Sequence, residues 1–76
     1  MTPFKKLAAI ALKTTAEAIS DDATPATVEG WDSLAHVLMV SLFEEEYSVS
    51  FSAEEIANIQ SLADFRRILA DKGAAI

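Results

Sequence analysis

Residues 30–47 read GWDSLAHVLMVSLFEEEY, and this stretch decides the fold. Asp32 is a favourable N-cap because its carboxylate can accept hydrogen bonds from the unpaired backbone N–H groups that follow. The segment after it is strongly apolar, contains neither Gly nor Pro, and ends in three glutamates and a tyrosine. The pattern predicts a long helix whose inward stripe is Leu34, Val37, Val40, Phe43 and Tyr47, widened by Leu38, Met39 and Leu42.

The residues before this helix predict an earlier helix and a long loop. Thr2 followed by Pro3 is typical of an N-cap with proline in the first turn. We expect this first helix to end near Ser20, because residues 20–32 lack regular apolar spacing. A loop of this length either has a functional role or crosses the bundle to join parallel helices. The apolar residues at helical spacing in the first helix are Phe4, Leu7, Ile10 and Ala11.

A short third helix is predicted after the long one. Ser52 followed three residues later by Glu55 forms a capping-box pattern, which marks a helix start. Ile56 and Ile59 are expected to face inward from this helix.

A fourth helix follows, and it completes the predicted fold. Ser61 and Asp64 form a weaker variant of the capping box, and Gly73 is a natural C-terminal cap. The apolar residues between them are Leu62, Phe65, Ile68 and Leu69. The sequence therefore predicts an all-α protein, a four-helix bundle with a short third helix and a long loop between helices one and two.

Length and composition limit the possible classes of protein. With 76 residues the chain is expected to form one domain over residues 1–76, with one modest core. The absence of Cys excludes disulfides and thiolate metal sites, so packing has to stabilise the core. We find neither a signal-peptide pattern nor an apolar run long enough to cross a bilayer, and we expect a cytoplasmic protein without membrane insertion.

The charge distribution is strongly uneven. The net charge is −6, and all six Lys and Arg residues lie near the two ends of the chain. The acidic middle would repel nucleic acid and anionic lipid and attract a basic partner surface. A solvated acidic face that only keeps the protein soluble is the commoner explanation of such a pattern.

Ser33 is the candidate for chemistry. If Asp32 caps the helix, Ser33 lies in the first turn and directs its hydroxyl to solvent. A phosphate on that hydroxyl would lie beside N–H donors at the positive end of a helix dipole. The alternative is that Asp32 and Ser33 only cap a helix, which is what such a pair usually does.

The chain resembles the acyl carrier protein family. Asp32, Ser33 and Leu34 match the family's attachment motif, and residues 43–47, FEEEY, resemble the acidic second helix that follows it. The resemblance continues without a gap into the third and fourth helices. The matching positions there are Phe51, Ser52, Glu54, Glu55, Ile56, Ile59, Leu62 and Phe65.

The resemblance implies a carrier without catalytic activity of its own. A transferase would attach 4′-phosphopantetheine from coenzyme A to Ser33, and the thiol of this arm would hold acyl groups as thioesters. The implied partners are that transferase and acyl-processing enzymes with basic docking surfaces, and the carrier itself is expected to be a monomer. The implied docking residues are Glu44, Glu45 and Glu46, with Glu54 and Glu55 as weaker candidates. The implied lining for an acyl chain consists of Val37, Leu42, Ile56 and Ile59.

Departures from the family pattern indicate a specialised carrier rather than the general fatty-acid one, and the sequence leaves the pathway open between fatty acid, polyketide and other acyl biosynthesis. Fatty-acid carriers typically have acidic residues where this chain has Ala35 and Leu38, and a Met where it has Ser41. Leu38 is expected near the edge of the buried face, as a partner anchor or packed on the long loop. Trp31 is expected to act as a hydrophobic staple on the first turn, around His36 or Val37.

Two other functions compete with the carrier. An enzyme would use Ser33, His36 and Asp32 as nucleophile, base and orienting acid, but no oxyanion-hole motif accompanies them. A metal site is disfavoured, because three consecutive glutamates point in different directions on a helix. The remaining alternative is an acidic helical adaptor that binds a partner without being modified.

Overall fold

The computed structural model describes residues 3–74, and within this range the secondary structure is entirely helical. The prediction of an all-α fold is therefore confirmed for these residues. The helices are α1 (Phe4–Leu12), a short 3-10 turn (Ala16–Ala18), α2 (Ser33–Tyr47), α3 (Ala53–Asn58) and α4 (Leu62–Asp71).

Helix α1 starts one residue later than the proline pattern predicts. Pro3 occupies the N-cap position and Phe4 is the first helical residue, so proline lies outside the first turn. The predicted cap residue Thr2 lies outside the described residues. Of the four apolar residues at helical spacing, Phe4, Leu7 and Ala11 are buried, whereas Ile10 is exposed.

Helix α1 also ends much earlier than predicted, at Leu12 instead of near Ser20. Lys13 adopts a left-handed conformation with φ 58°, which turns the chain out of the helix. The Thr14 N–H then donates to the Ala9 carbonyl oxygen at 3.0 Å and closes the last turn. Glycine usually occupies such a position, so a lysine there carries no sequence signal for a helix end.

The connection between α1 and α2 has no α-helix over residues 20–32, as predicted, but it packs firmly on the rest of the chain. Ile19, Ala23 and Trp31 are buried in the core. The Leu62 N–H donates to the Ala23 carbonyl oxygen at 3.0 Å, which ties the connection to the start of α4.

The buried face of α2 differs from the predicted stripe. Leu34 and Val37 are 82% and 58% exposed, so their inward assignment is wrong. Leu34 and Phe43 are nine residues apart, which is two and a half helical turns, so they lie on opposite faces. The predicted stripe advances by three residues at a time from Leu34 to Phe43, whereas one helical turn takes 3.6 residues. Its members therefore lie progressively further around the helix, and one buried face cannot contain them all. The residues that α2 buries are Ala35, Met39, Val40 and Phe43.

The capping box of α3 is confirmed. The Ser52 N–H donates to the Glu55 carboxylate at 2.8 Å, and the Glu55 N–H donates to the Ser52 hydroxyl at 3.1 Å. Ile59, just after α3, is buried, and Ile56 is half-buried against the core. The short helix thus has a strong local start signal and one inward residue, and a second inward residue caps its end.

Helix α4 has a modified box at its start and a glycine cap at its end. The Asp64 N–H donates to the Ser61 hydroxyl at 3.2 Å, while the Asp64 carboxylate accepts from the Gln60 N–H at 2.8 Å. Gly73 has φ +87°, and the Ala74 N–H donates to the Leu69 carbonyl oxygen at 2.9 Å, which closes the last turn of the helix. The predicted stop at Gly73 is confirmed.

Aromatic rings form the centre of the core. Phe43 of α2 stacks on Phe4 of α1 at 4.8 Å between ring centroids and meets Phe65 of α4 edge-on at 5.1 Å. Phe51 also packs edge-on against Phe65 at 5.8 Å. These contacts join α1, α2, α4 and the segment before α3 around one cluster.

None of the helices within residues 3–74 is both long enough and apolar enough to cross a membrane.

Candidate functional site

Ser33 is the first residue of α2, and it is exposed. Asp32 caps the helix as predicted, because one of its carboxylate oxygens accepts from the Ala35 N–H at 2.8 Å. The first helical bond runs from the His36 N–H to the Asp32 carbonyl oxygen at 2.9 Å. The hydroxyl of Ser33 is therefore held by a well-formed first turn on an accessible surface.

A cavity of about 460 Å³ opens to solvent directly beside Ser33. It lies where the long connection, α2 and the region of α3 meet, and most of its lining is apolar. Three of the four residues predicted to line an acyl chain do line it, whereas Leu42 packs against the core instead. The lining residues are Pro25, Trp31, Asp32, Ser33, His36, Val37, Ile56, Ala57 and Ile59.

The loop side of this cavity is fixed by a small turn around Pro25. The Thr24 N–H donates to the Thr27 hydroxyl at 2.9 Å, and the Thr27 N–H donates to the Thr24 carbonyl oxygen at 3.0 Å. Sequence reasoning did not assign Pro25 or Ala57 to a site. The two Thr residues three apart around Pro25 are the local signal of a turn, but they do not reveal what the turn faces.

Trp31, His36 and Ile56 form a hydrogen-bonded chain at the inner side of the cavity. The Trp31 indole N–H donates to Nδ1 of His36 at 3.0 Å, and Nε2 of His36 lies 2.9 Å from the Ile56 carbonyl oxygen. An indole can only donate and a carbonyl can only accept. In this arrangement Nδ1 of His36 accepts from the indole and Nε2 donates to the carbonyl oxygen, and the ring joins the start of α2 to α3.

The predicted staple contact of Trp31 with His36 is confirmed, with 6.1 Å between ring centroids. Both rings also pack on Phe65, at 6.4 Å from Trp31 and 5.6 Å from His36. The two ring nitrogens of His36 are engaged by Trp31 and Ile56, so this ring is not directed at the Ser33 hydroxyl as a general base.

The exposed face of α2 next to Ser33 is apolar. Leu34, Val37 and Leu38 are three and four residues apart and share this face, and we call them the apolar patch. Leu38 is 44% exposed, as expected for the edge of the buried face, whereas Ala35 is only 6% exposed.

The three glutamates near the end of α2 have different surroundings. The Glu44 carboxylate accepts from the Phe51 N–H at 2.8 Å and holds the loop that follows the helix. Glu45 is exposed, and Glu46 is half-buried. Burial, followed by the neighbouring charge of Glu46, raises the pKa of the Tyr47 hydroxyl above its ordinary value. Glu45 thus has the most accessible charge of the three.

The two weaker docking candidates on α3 also differ. Glu54 is exposed, whereas Glu55 forms the capping box and lies 3.0 Å from Nζ of Lys72. The hydrogen bond from the Ser52 N–H and then the contact with Lys72 lower the pKa of the Glu55 carboxyl. Glu55 therefore has a structural role besides any role in docking.

No protein-family model matches the chain, and no curated protein matches it either.

Proposed function

We propose that the protein is an acyl carrier whose Ser33 takes a 4′-phosphopantetheine arm from coenzyme A. The observation that carries the proposal is the exposed Ser33 at the capped start of α2, directly beside an apolar cavity of about 460 Å³. The resemblance of residues 30–69 to acyl carrier proteins agrees with this arrangement. When bound, the arm supplies a thiol, which this chain lacks, and the thiol holds acyl groups as thioesters.

The chemical step of attachment uses one group of this chain, the Ser33 hydroxyl. The Ser33 oxygen would bond to the phosphorus on the pantetheine side of the coenzyme A diphosphate, and adenosine 3′,5′-bisphosphate would leave. The hydroxyl proton would pass to a base of the transferase. The Asp32 cap fixes the first turn, so the hydroxyl is presented from an ordered backbone.

The start of α2 is a favourable place for the phosphate of the arm. Ser33 and Leu34 donate no bond to an earlier turn, because the first helical bond comes from His36. Backbone N–H groups at a helix start favour an anion nearby. The cavity beside Ser33 offers an apolar surface for the beginning of an acyl chain, and its lining includes Val37, Ile56 and Ile59.

Partner enzymes would meet α2 through two kinds of contact. The apolar patch lies beside Ser33 and provides an anchor that would be covered on docking. Glu45 follows Ser33 by twelve residues, about 18 Å along the helix at 1.5 Å per residue. Such a distant exposed charge suits steering of a basic partner surface more than tight binding.

Mass spectrometry tests the proposal directly. The purified chain is incubated with coenzyme A, magnesium and each of several permissive transferases, and Ser33→Ala is treated in parallel. We expect the wild-type chain to gain one arm and the variant to gain none, while its helical circular dichroism stays unchanged. Gain of the arm by the variant, or no gain by the wild type with any transferase, would contradict the proposal.

An unmodified adaptor is the second candidate, and the exposed apolar patch is the observation that favours it. It predicts that the chain expressed in a host with an active transferase has the mass of its sequence alone. A mass spectrum of the chain purified from such a host therefore separates the two functions.

A further inference from the structure

We infer that His36 is a positioning residue that holds the walls of the cavity beside Ser33 together only while its ring is uncharged, so that the cavity binds apolar groups more weakly in acid. This property belongs to the cavity itself and does not depend on an arm at Ser33. The cavity lies where the long connection, α2 and the region of α3 meet. The His36 side chain, on α2, bonds to both of the other walls, through the Trp31 indole and the Ile56 carbonyl oxygen.

Helix α3 depends partly on polar contacts for its position. None of its six residues is buried, and Ile56 is half-buried against the core. The His36–Ile56 hydrogen bond ties α3 to α2, and the contact of Glu55 with Nζ of Lys72 at 3.0 Å ties it to the end of α4. Movement of the His36 ring therefore leaves the α3 wall of the cavity less firmly held.

The two bonds of His36 need opposite roles from its ring nitrogens. Nδ1 accepts from the Trp31 indole N–H, and Nε2 donates to the Ile56 carbonyl oxygen. A histidine ring that takes up a proton has an N–H at both nitrogens. The new N–H on Nδ1 would point at the indole N–H, so the bond to Trp31 is lost while the bond to Ile56 can remain. Trp31 is 4% exposed, so the loss leaves a largely buried donor unpaired, and one of the two rings has to move.

Asp32 is the other ionisable residue in the cavity lining. One of its carboxylate oxygens accepts from the Ala35 N–H, and the carboxylate cannot donate a bond to the Ile56 carbonyl oxygen. Its negative charge attracts a positive His36 ring, whereas the indole N–H of Trp31 repels one. The charges within the cavity thus favour release of Trp31 once the ring is protonated.

The charged residues on the elements packed against His36 are exposed or bound to other partners. Those nearest in sequence to its contacts on the connection, α3 and α4 are Glu29 and Glu54, which are exposed, Glu55, which contacts Lys72, and Asp64 and Arg66, which contact Arg67 and Asp21. None of these contacts involves the His36 ring, so the proton on Nδ1 decides whether the bond to Trp31 forms.

NMR of the wild-type chain tests the bond to Trp31 directly. The chain contains one His and one Trp, so the signals of both rings are unambiguous. The indole N–H signal and the carbon-bound ring protons of His36 are followed from about pH 8 to about pH 5, the range in which histidine ordinarily takes up a proton. We expect the indole proton to shift upfield in step with the His36 signals, because it loses its acceptor. An indole signal that keeps its position down to about pH 5 would overturn the inference.

His36→Gln is the matched control. Its amide N–H can take the place of Nε2 and donate to the Ile56 carbonyl oxygen, but it has no acceptor at the place of Nδ1 and does not titrate. We expect its indole signal to lie near the acid position of the wild-type signal and to stay there at every pH. The carboxylates are the same in both chains, so an equal pH response in the variant would assign the response to another group and refute the role of His36.

Binding in the cavity is measured with an apolar chain attached at its edge. The sequence contains no Cys, so Ser33→Cys introduces a single thiol there. Its thiolate displaces iodide from N-octyl iodoacetamide and forms a thioether, and a second sample is capped with unsubstituted iodoacetamide. The difference in melting temperature between the two samples reports how well the cavity shelters the octyl chain.

With His36 in place, we expect the octyl chain to raise the melting temperature at about pH 8 and to raise it much less at about pH 5. With His36→Gln, we expect the same small increase at both pH values. An increase that does not depend on pH while His36 is present, or no increase at all, would contradict the inference. Failure of the carrier function would instead appear as absent arm transfer to Ser33, and it would leave these results unaffected.

Discussion

The carboxylate of Glu44 accepts a hydrogen bond from the backbone N–H of Phe51 at 2.8 Å, across the turn that follows α2. Phe51 is buried against Phe65, so this bond fixes the point at which the chain enters the core again. One residue further on, Glu45 is exposed. Neighbouring residues of one acidic run thus differ in role: Glu44 holds the fold, whereas Glu45 faces solvent.

This difference predicts opposite outcomes for two matched substitutions. Glu44→Ala removes the acceptor of a partly buried N–H, and we expect it to lower the free energy of unfolding by about 1–3 kcal/mol. Glu45→Ala should change it by less than about 0.5 kcal/mol, because the side chain is exposed. Urea unfolding followed by circular dichroism measures both. Equal stability of the two variants would contradict the structural role of Glu44.

Charge reversal at Glu45 tests the electrostatic part of docking. If this residue steers a basic transferase surface, Glu45→Lys should lower the rate of arm transfer at low salt. The difference from wild type should shrink at about 0.15 M salt, where the Debye length is about 8 Å. Stopped-flow or initial-rate measurements at several salt concentrations give the comparison. A difference that does not depend on salt would indicate a contact of another kind.

Leu34 tests the apolar part of docking. Because its side chain is 82% exposed, Leu34→Ala should leave the free energy of unfolding within about 0.5 kcal/mol of wild type. If docking covers it, the variant should reduce transfer efficiency by about tenfold, as expected for the loss of roughly 1.4 kcal/mol. Ser41→Ala, exposed on the same helix but further from Ser33, is the control. Unchanged efficiency for Leu34→Ala would exclude the apolar patch from the interface with that transferase.

Gly30 is required by close packing between the long connection and α1. A Cβ at this position would lie 2.6 Å from the carbonyl oxygen of Leu12, a backbone atom that cannot easily move aside. We expect Gly30→Ala to lower the free energy of unfolding by about 1–3 kcal/mol. Glu29→Ala, at an exposed neighbouring position, should have little effect. Chemical denaturation of the two variants decides the point, and wild-type stability of Gly30→Ala would show that the connection can shift.

Stability is expected to fall at acidic pH because of the caps of α3 and α4. The Ser52 N–H bond lowers the pKa of the Glu55 carboxyl, and the Gln60 N–H bond lowers the pKa of the Asp64 carboxyl. A lowered folded-state pKa stabilises the fold above the unfolded-state pKa values of about 3.9–4.3. That stabilisation is lost as the pH falls through the lower folded-state values.

The free energy of unfolding measured from pH 7 to pH 3 checks this. The double variant Glu55→Gln, Asp64→Asn should lose less stability on acidification than the wild type. Glu54→Gln controls for the loss of one negative charge on the same helix. An equally steep loss in the double variant would mean that other groups dominate the acid response.

Local hydrogen bonding made several features predictable from the sequence. The Asp32 cap, the Ser52–Glu55 box and the Gly73 stop depend on residues within a few positions of one another. Their hydrogen bonds form wherever the chain makes that helix end, so residue type and spacing are sufficient to find them. The position of Ser33 in an exposed first turn follows from the same reasoning.

Tertiary packing decided the rest. The buried face of α2 depends on which residues meet the rings of Phe4 and Phe65, and these contacts lie far apart in sequence. For this reason Leu34 and Val37, apolar but exposed, could not be told from core residues by hydrophobicity alone. The hydrogen bond between His36 and the Ile56 carbonyl oxygen joins positions twenty residues apart, so no local sequence pattern predicts it. The sequence alone determined the starts of α2, α3 and α4 and the accessible serine, because these depend on local caps. Only the folded chain brought the apolar cavity and the hydrogen bonds of His36 beside that serine, because they join residues far apart in sequence.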